Sequence, residues 1–371
     1  MFVYLDNAHF SELEVLLRQK PDAFIDFLAF WLEHDCKLIV SRAHLHEIGQ
    51  HKDERDLEKR LELLRYFSIW SGDEHENVDW VIIREMLQQA LFRLQPGAAS
   101  PAAAYLPLRD QLYRPAELSS IAIWLRSARP ALLHEMRTRR EMARFENSSR
   151  ELRNRVRTLI GEEPRWSPDA WKMMPVVEKV APKVTGDPVG DLYNATVKAR
   201  TRECFQRAKK ERQALRCMYG LEGFACADAA PRQDLSRLGF YRALAQHWVL
   251  PSYRRAGHDA AAVQAVLDQL NLYDAPGISA ALAVERGRKL HHKEWEPGDY
   301  MDADHVLWAA HADLAFLDKR TYGFLQQAKT SRDMARLLSP HLRVRFERTA
   351  NLENVRKHII TLAKERSGTT D

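Results

Sequence analysis

Three short apolar runs constrain this 371-residue chain most: Phe2-Val3-Tyr4-Leu5 stopping at Asp6, Lys37-Leu38-Ile39-Val40 stopping at Ser41, and Leu314-Ala315-Phe316-Leu317 stopping at Asp318. Runs of four apolar residues bounded by polar ones suit buried strands better than helices, which need longer periodic stretches. Helical spacing fills the gaps. Ser11 to Arg18 and Asp22 to Glu33 carry apolar residues three to four apart, Ser41 is placed to cap a helix holding Glu47, and Leu57 to Trp70 continues as an amphipathic helix. Parallel strands need crossovers, and these helices supply them.

The middle of the chain reads differently. From about Asn77 to Asp274 the pattern is helical, broken at Gln95-Pro96-Gly97, Glu163-Pro164, Gly186-Asp187-Pro188 and Ala230-Pro231, with no convincing strand. Strand character returns at Leu314 to Leu317 and again over His341 to Glu347, and Leu352 to Glu365 makes a last helix. The expectation is an α/β fold whose discontinuous core comprises residues 1–75 and 275–371, interrupted by an all-α insertion over 76–274. A chain of this length exceeds the usual single-domain size, which suits an enlarged or two-domain plan.

Composition excludes several classes. Hydrophobic residues make up 45% of the chain, enough for a core, yet no run of eighteen apolar residues occurs, so no membrane partner is expected. The opening Met-Phe-Val-Tyr-Leu-Asp reads as the first core strand and not as a leader, and the chain is expected in the cytoplasm. Cys36, Cys204, Cys217 and Cys226 lack CxxC spacing, against a zinc or disulfide framework. The absence of GxxxxGK[ST], GxGxxG and GxSxG argues against P-loop, dinucleotide and serine-hydrolase chemistry. His46-Glu47-Ile-Gly-Gln-His51 has one residue too many for HExxH.

Net charge is only +5, but it is concentrated. Eight Arg face three Glu between Arg137 and Arg157, and eight Lys or Arg face two Glu between Lys198 and Arg216. Arg137, Arg140, Arg144, Lys198, Arg202, Lys209 and Arg212 are the candidates for contacts with a nucleic-acid backbone, because phosphate contacts supply most of such affinity. A solvated helix face is the alternative.

Acids ending hydrophobic runs suggest a shared cation, since a buried carboxylate without a partner is costly. Asp6, Glu47, Asp304 and Asp318 are the residues to bring together, and an all-oxygen set suits Mg²⁺ or Mn²⁺. Each has a plainer reading. Asp6 could cap a turn or helix, Glu47 could sit exposed, Asp302 or Asp304 could cap the helix they open, and Asp318 could pair with Lys319 or Arg320. His44 shares a helical face with Glu47 and could touch substrate or a neighbouring acid, while His305 is placed to pack or to hydrogen-bond a neighbour.

Taken together, Val3-Tyr-Leu-Asp6, Ser41-Arg-Ala-His-Leu-His-Glu47-Ile and Asp302-Ala-Asp304-His305-Val-Leu-Trp-Ala-Ala…Ala312-Asp313-Leu-Ala-Phe-Leu-Asp318-Lys319 resemble the PIN-like domain nucleases, a metal-dependent ribonuclease fold. The resemblance implies a parallel sheet sandwiched by helices. It also implies that Asp6, Glu47, Asp304 and Asp318 are catalytic metal ligands, with Asp302 the alternative third position, and that His44, His305 and Lys319 are auxiliary. It implies RNA as substrate and a toxin or defence role with an antitoxin or other system component as protein partner. Leu317 departs from the family pattern, where Thr or Ser commonly precedes the last acid, and the helical middle has no counterpart in a minimal domain. Two other readings stand beside this one: a catalytically degenerate scaffold that binds RNA or protein, and a nucleotide phosphohydrolase or DNA nuclease using the same acids.

Overall fold

The computed structural model describes residues 1–50, 53–71, 78–94, 106–159, 206, 209–210, 212–224, 226–227, 235–255, 257, 259–290, 299–330, 338–348 and 351–368. Its centre is β1 (Phe2–Leu5), hydrogen-bonded in parallel to β2 (Lys37–Ile39) on one side and β5 (Leu314–Leu317) on the other. Beyond β2 lies β3 (Ile69–Ser71), also parallel, and beyond β5 lies parallel β6 (Arg345–Arg348). A two-residue antiparallel β4 (Arg114–Pro115) closes the β3 edge, giving the order β4-β3-β2-β1-β5-β6. The first three strands step away from β1 in one direction and the last two in the other.

Side chains of a strand alternate between faces, so the sheet needs two apolar layers when both faces are covered. On one face Val3, Leu5, Leu38, Val40, Leu314 and Phe316 pack with α1 (Asn7–Gln19), α2 (Pro21–Glu33), α3 (Arg42–Gly49) and α4 (Glu54–Leu64). On the other, Phe2, Tyr4, Ile39, Ala315 and Leu317 pack with α5 (Val78–Leu94) and α6 (Leu106–Leu112). The long α7 (Leu118–Leu159) lies against α3 and α4, sending Ile121, Leu125 and Leu132 into the first layer. Further helices follow: α8 (Leu235–Leu244), running through a π turn into α9 (Leu250–Arg255), then α10 (Ala260–Asp268), α11 (Pro276–Leu290), α12 (Asp299–Ala309), α13 (Lys319–Thr330) and α14 (Leu352–Ser367). Residues of α5, α6, α8 and α10 share one continuous apolar cluster with β1 and β2, so the helical middle of the chain supplies much of one covering layer of the sheet.

Four expectations need correction. The amphipathic helix that the pattern extends to Trp70 ends at Leu64, and Ile69 and Trp70 pair with Leu38 and Ile39 as β3. The tight turn through Arg65, Tyr66 and Phe67 switches the direction of the chain there. A strand also occurs inside the helical middle, β4, where Pro115 is tolerated because an edge position needs fewer ladder donors. Asp302 and Asp304 are not caps: α12 begins at Asp299, which places both within the helix body. The strand expected over His341 to Glu347 is shorter and later, Arg345–Arg348.

Among the described residues, no helix is long and apolar enough to cross a membrane. Lys198 and Arg202 lie outside the described residues.

Candidate active site

The strand order reverses at β1, and in open α/β sheets the crevice outside the carboxyl ends of the strands at such a point is where ligands bind. Asp6 follows β1 and Asp318 follows β5, its hydrogen-bonded neighbour, so both acids stand at that edge. Both also cap the helices that follow. Asp6 Oδ1 accepts from Asn7 N at 2.7 Å, and Asp318 Oδ1 accepts from Arg320 N at 2.7 Å and Thr321 N at 3.1 Å. The capping and site readings of these acids are therefore compatible, because each cap uses only one carboxylate oxygen.

Glu47 arrives on α3. Ser41 caps that helix, with its hydroxyl accepting from His44 N and its own N–H donating to His44 Nδ1 at 3.0 Å. His44 is wholly buried, and its Nε2 donates to Leu5 O at 2.7 Å. One ring nitrogen thus ties α3 to the end of β1 and the other closes the cap of α3 itself, which sets Glu47 within electrostatic reach of Asp6. Gly49 lets α7 come close, since a Cβ there would collide with Leu132 Cδ1.

His305, on α12, fills the space between the acids. Its Nε2 lies 3.2 Å from Glu47 Oε1, off the line of a good hydrogen bond, and its Nδ1 lies 2.5 Å from Tyr4 OH. Tyr4 OH lies in turn 2.9 Å from Ser41 Oγ, which is 3.1 Å from His44 Nδ1. Burial alone would lower the His305 pKa, but the negative charges of Glu47, Asp6 and Asp302 outweigh it and push the ring up to about 9. As an imidazolium, His305 donates from Nδ1 to Tyr4 and meets Glu47 through Nε2 as an ion pair. The Tyr4 hydroxyl then donates to Ser41, whose hydroxyl donates to His44.

The acids feel one another. Burial drives the Asp6 carboxyl up to about 6, the repulsion of Glu47 and Asp318 adding to it against the attraction of His305. Asp304 also rises to about 6 through burial, opposed by the charges of Arg237, His305 and Arg139. Asp302 bonds Arg288 at 3.4 Å. The structure therefore places Glu47 against His305, with Asp6 within electrostatic reach of both and Asp318 within electrostatic reach of Asp6. It sets Asp304 within electrostatic reach of Arg237 and Arg139, and holds Asp302 against Arg288. Lys319 is exposed beside Asp318.

Arg139 and Arg237 were not legible as site residues. Arg139 is bound to Glu135 one turn away on α7 and reads as an ordinary helix ion pair, while Arg237 is bound to Glu285 on another helix, a contact that sequence spacing does not reveal. Of the basic candidates, Arg137, Arg140 and Arg144 are exposed on α7 at three-and-four spacing, Lys209 is exposed, and Arg212 is half-buried and donates to Ala227 O at 3.0 Å.

Among the described residues no three carboxylate, histidine or cysteine side chains converge closely enough to ligate a metal as they stand. The donors are oxygens of the kind a hard cation takes. Glu47 Oε2 is a buried oxygen without a hydrogen-bond partner, and Asp6 is held in a place that disfavours its own anion.

The His305 ion pair makes a stability prediction. Its folded pKa, about 9, exceeds the unfolded value of 6.5, so the folded state binds the extra proton between these values. The stabilisation is fully present below pH 6.5 and is lost as pH rises through 9. The stability gap between wild type and His305→Gln in urea melts should therefore narrow across that window; a gap independent of pH would contradict the pairing.

No family model matches the chain, and neither a curated protein nor a solved structure matches it.

Proposed function

We propose that the chain is a metal-dependent endoribonuclease with a PIN-like core, hydrolysing phosphodiester bonds at the carboxyl edge of the sheet. The observation that carries this reading is the position of Asp6, Asp318 and Glu47 at the reversal of strand order, within electrostatic reach of one another. Asp6, Glu47 and Asp318 would hold Mg²⁺ or Mn²⁺, with Asp304 or Asp302 completing the set. Bound there, the ion would lower the pKa of a water molecule and offset charge developing on the phosphoryl group.

The protein groups do the remaining work. His305 fixes the rotamer of Glu47, and the Tyr4–Ser41–His44 chain fixes His305, which preorganises the acids before substrate arrives. Arg237 and Arg139, within electrostatic reach of Asp304, would supply positive charge for a phosphate entering the cleft. Arg137, Arg140 and Arg144 lie on the same helix as Arg139 and would carry the backbone on either side of the scissile bond. The family reading further implies a toxin or defence role with a protein partner.

Cellular RNA incubated with the wild-type chain and Mn²⁺ or Mg²⁺ should give discrete fragments that EDTA abolishes. Equal degradation with and without EDTA would end the metal reading, and cleavage of DNA or free nucleotides with RNA left intact would move the substrate class. For binding to single-stranded RNA, Arg137→Ala, Arg140→Ala and Arg144→Ala combined should lower the slope of log K against log salt by about 0.7 for every phosphate no longer neutralised. An unchanged slope would remove α7 from the interface.

A second reading is favoured by one observation. Glu47 is engaged with His305, and among the described residues no trio of ligands is assembled, which suits a catalytically degenerate scaffold. Saturable RNA binding without turnover under any divalent ion would select it.

A further inference from the structure

At the opposite end of the strands from the acids lies a cavity of about 380 Å³, walled by the residues that precede β5 and β6 and by α6 and α14. Asp313 organises it. This side chain is 6% exposed; its Oδ2 accepts from Phe2 N at 2.7 Å, and its Oδ1 accepts from Arg109 Nη1 and Arg366 Nη2, both at 2.6 Å. Burial would raise the Asp313 carboxyl, but the bonds from Arg366 and Phe2 and the charge of Arg109 hold it below the usual range, so it stays an anchor. Two guanidinium groups from distant parts of the chain are thereby fixed at one point.

Arg345 adds a third, bonded to Glu347 at 2.7 Å and to Glu365 at 3.1 Å. The fourth, Arg343, is exposed in the wall and has neither a hydrogen bond nor an ion pair among the described residues. Four arginines thus face two wall carboxylates, Asp313 and Glu365. Outside the wall, Glu347 on Arg345 and the exposed Asp110, 3.9 Å from Arg109 Nε, bring the acids to four, and Arg343 is the arginine left without one among the described residues. Each guanidinium has five N–H donors, and one or two bonds to a carboxylate leave others directed at the cavity. A planar fork held in place by a carboxylate matches phosphate oxygens better than a lysine would.

The rest of the wall narrows the ligand. Pro276, Ala310, Ala312 and Leu362 are small or aliphatic, and His311 and His341 are the aromatic rings in the wall, with no Phe, Tyr or Trp among the described lining residues. Its volume is at the lower end of those that hold small molecules.

We propose that this cavity is a binding site for a diphosphate group, gripped by Arg343, Arg345, Arg366 and Arg109, with the group supplied either as free pyrophosphate or as the terminus of a nucleoside diphosphate. The site is separate from the acidic edge, across the length of a strand, and it does not depend on the nuclease reading. Binding would bridge α6, α14 and β6.

The test is titration calorimetry of the full chain in EDTA at constant ionic strength, with pyrophosphate and a nucleoside diphosphate as probes. Saturable one-to-one binding is expected, weakened about tenfold or more by Arg343→Ala, which removes charge-assisted bonds. Arg343 has no partner among the described residues, so the melting temperature without ligand should stay unchanged in that variant. Arg343→Lys should weaken binding as well, because it keeps the charge and loses the fork. Tighter binding of pyrophosphate would assign the free anion, and equal or tighter binding of the nucleoside diphosphate would assign the nucleotide terminus. The proposal falls if neither probe gives saturable heat, or if Arg343→Ala and Arg345→Ala both bind like wild type; the arginines would then be only an ion-pair network tying α14 to the sheet.

Discussion

Asp6→Asn is expected to reduce metal-dependent RNA cleavage by about a hundredfold or more while leaving the fold at least as stable as wild type. The two halves of this expectation have one cause. The Asp6 carboxyl sits at the end of β1 with its pKa raised to about 6, first by burial and then by Glu47 and Asp318, so its negative charge opposes folding at neutral pH. A group raised from 3.8 to about 6 binds more protons folded than unfolded in that interval, so the stability it contributes falls as pH rises through it. Asparagine removes the charge and keeps an oxygen to accept from Asn7 N, and Asn caps helices as well as Asp does. What it loses is the anionic donor of a cation site. Thermal melts at about pH 7.5, well above both values, should show no fall in midpoint, and cleavage rates with Mn²⁺ should collapse. Cleavage retained at the wild-type rate would remove Asp6 from the chemistry, and a large drop in melting temperature would mean that its charge serves the fold instead.

Much of this edge was readable from sequence because two independent signals coincide there. Each of β1, β2 and β5 is a short apolar run, each is followed by a residue able to cap the next helix, and Asp6 and Asp318 are themselves those caps. Period and capping point to the same boundary, so the elements and their acids fall out together. The edge strands were not readable. β3 offers only Ile69, Trp70 and Ser71, directly after a strongly periodic helix, and three residues cannot establish a period of two. β4 is two residues long and contains a proline.

The helical middle shows a different limit. Its composition marks where strands stop, whereas the apolar layer over Phe2, Tyr4 and Ile39 runs on into α5, α6, α8 and α10. Periodicity identifies a buried face on a helix but not the surface it covers. The same limit hid the buried chain through His305. Tyr4 is an apolar-run residue in sequence, yet a fully buried tyrosine needs a partner for its hydroxyl, and both Ser41 and His305 provide one. Arg139 and Arg237 reach Asp304 only because α7 and α8 pass the site in three dimensions.

Glu85→Ala should be strongly destabilising, by about 3–5 kcal/mol, by stranding several buried donors at once. Glu85 lies on α5 with no exposed surface, yet it caps a helix nearly two hundred residues away. Its Oε1 accepts from Gly277 N at 2.6 Å and its Oε2 from Ile278 N at 3.0 Å, in the first turn of α11, and His311 Nε2 lies 2.8 Å from Oε1. The first N–H groups of a helix have no partner within it, and a carboxylate also suits the positive end of the helix dipole. No residue at the start of α11 could do this, since Ala275 has no polar side chain and Pro276 no N–H. Removing the carboxylate leaves two helix N–H groups and an imidazole N–H buried without acceptors. Glu85→Gln retains one carbonyl oxygen but turns an amide N–H₂ toward donors, so its cost should fall between wild type and Ala. Gly277→Ala probes the same joint from the other side, because a Cβ there would meet Leu307 O at 2.8 Å and Glu85 Oε1 at 3.0 Å, an overpacking worth about 1–3 kcal/mol. Urea midpoints should rank wild type above Gly277→Ala and Glu85→Gln, with Glu85→Ala lowest; an Ala variant that unfolds with wild type would show that α11 is held by its apolar packing alone. The consequence for the site is indirect. α11 packs along α12, the helix that carries Asp302, Asp304 and His305, so loss of the joint should reduce the amount of active protein in proportion to unfolding while the rate per folded molecule stays unchanged.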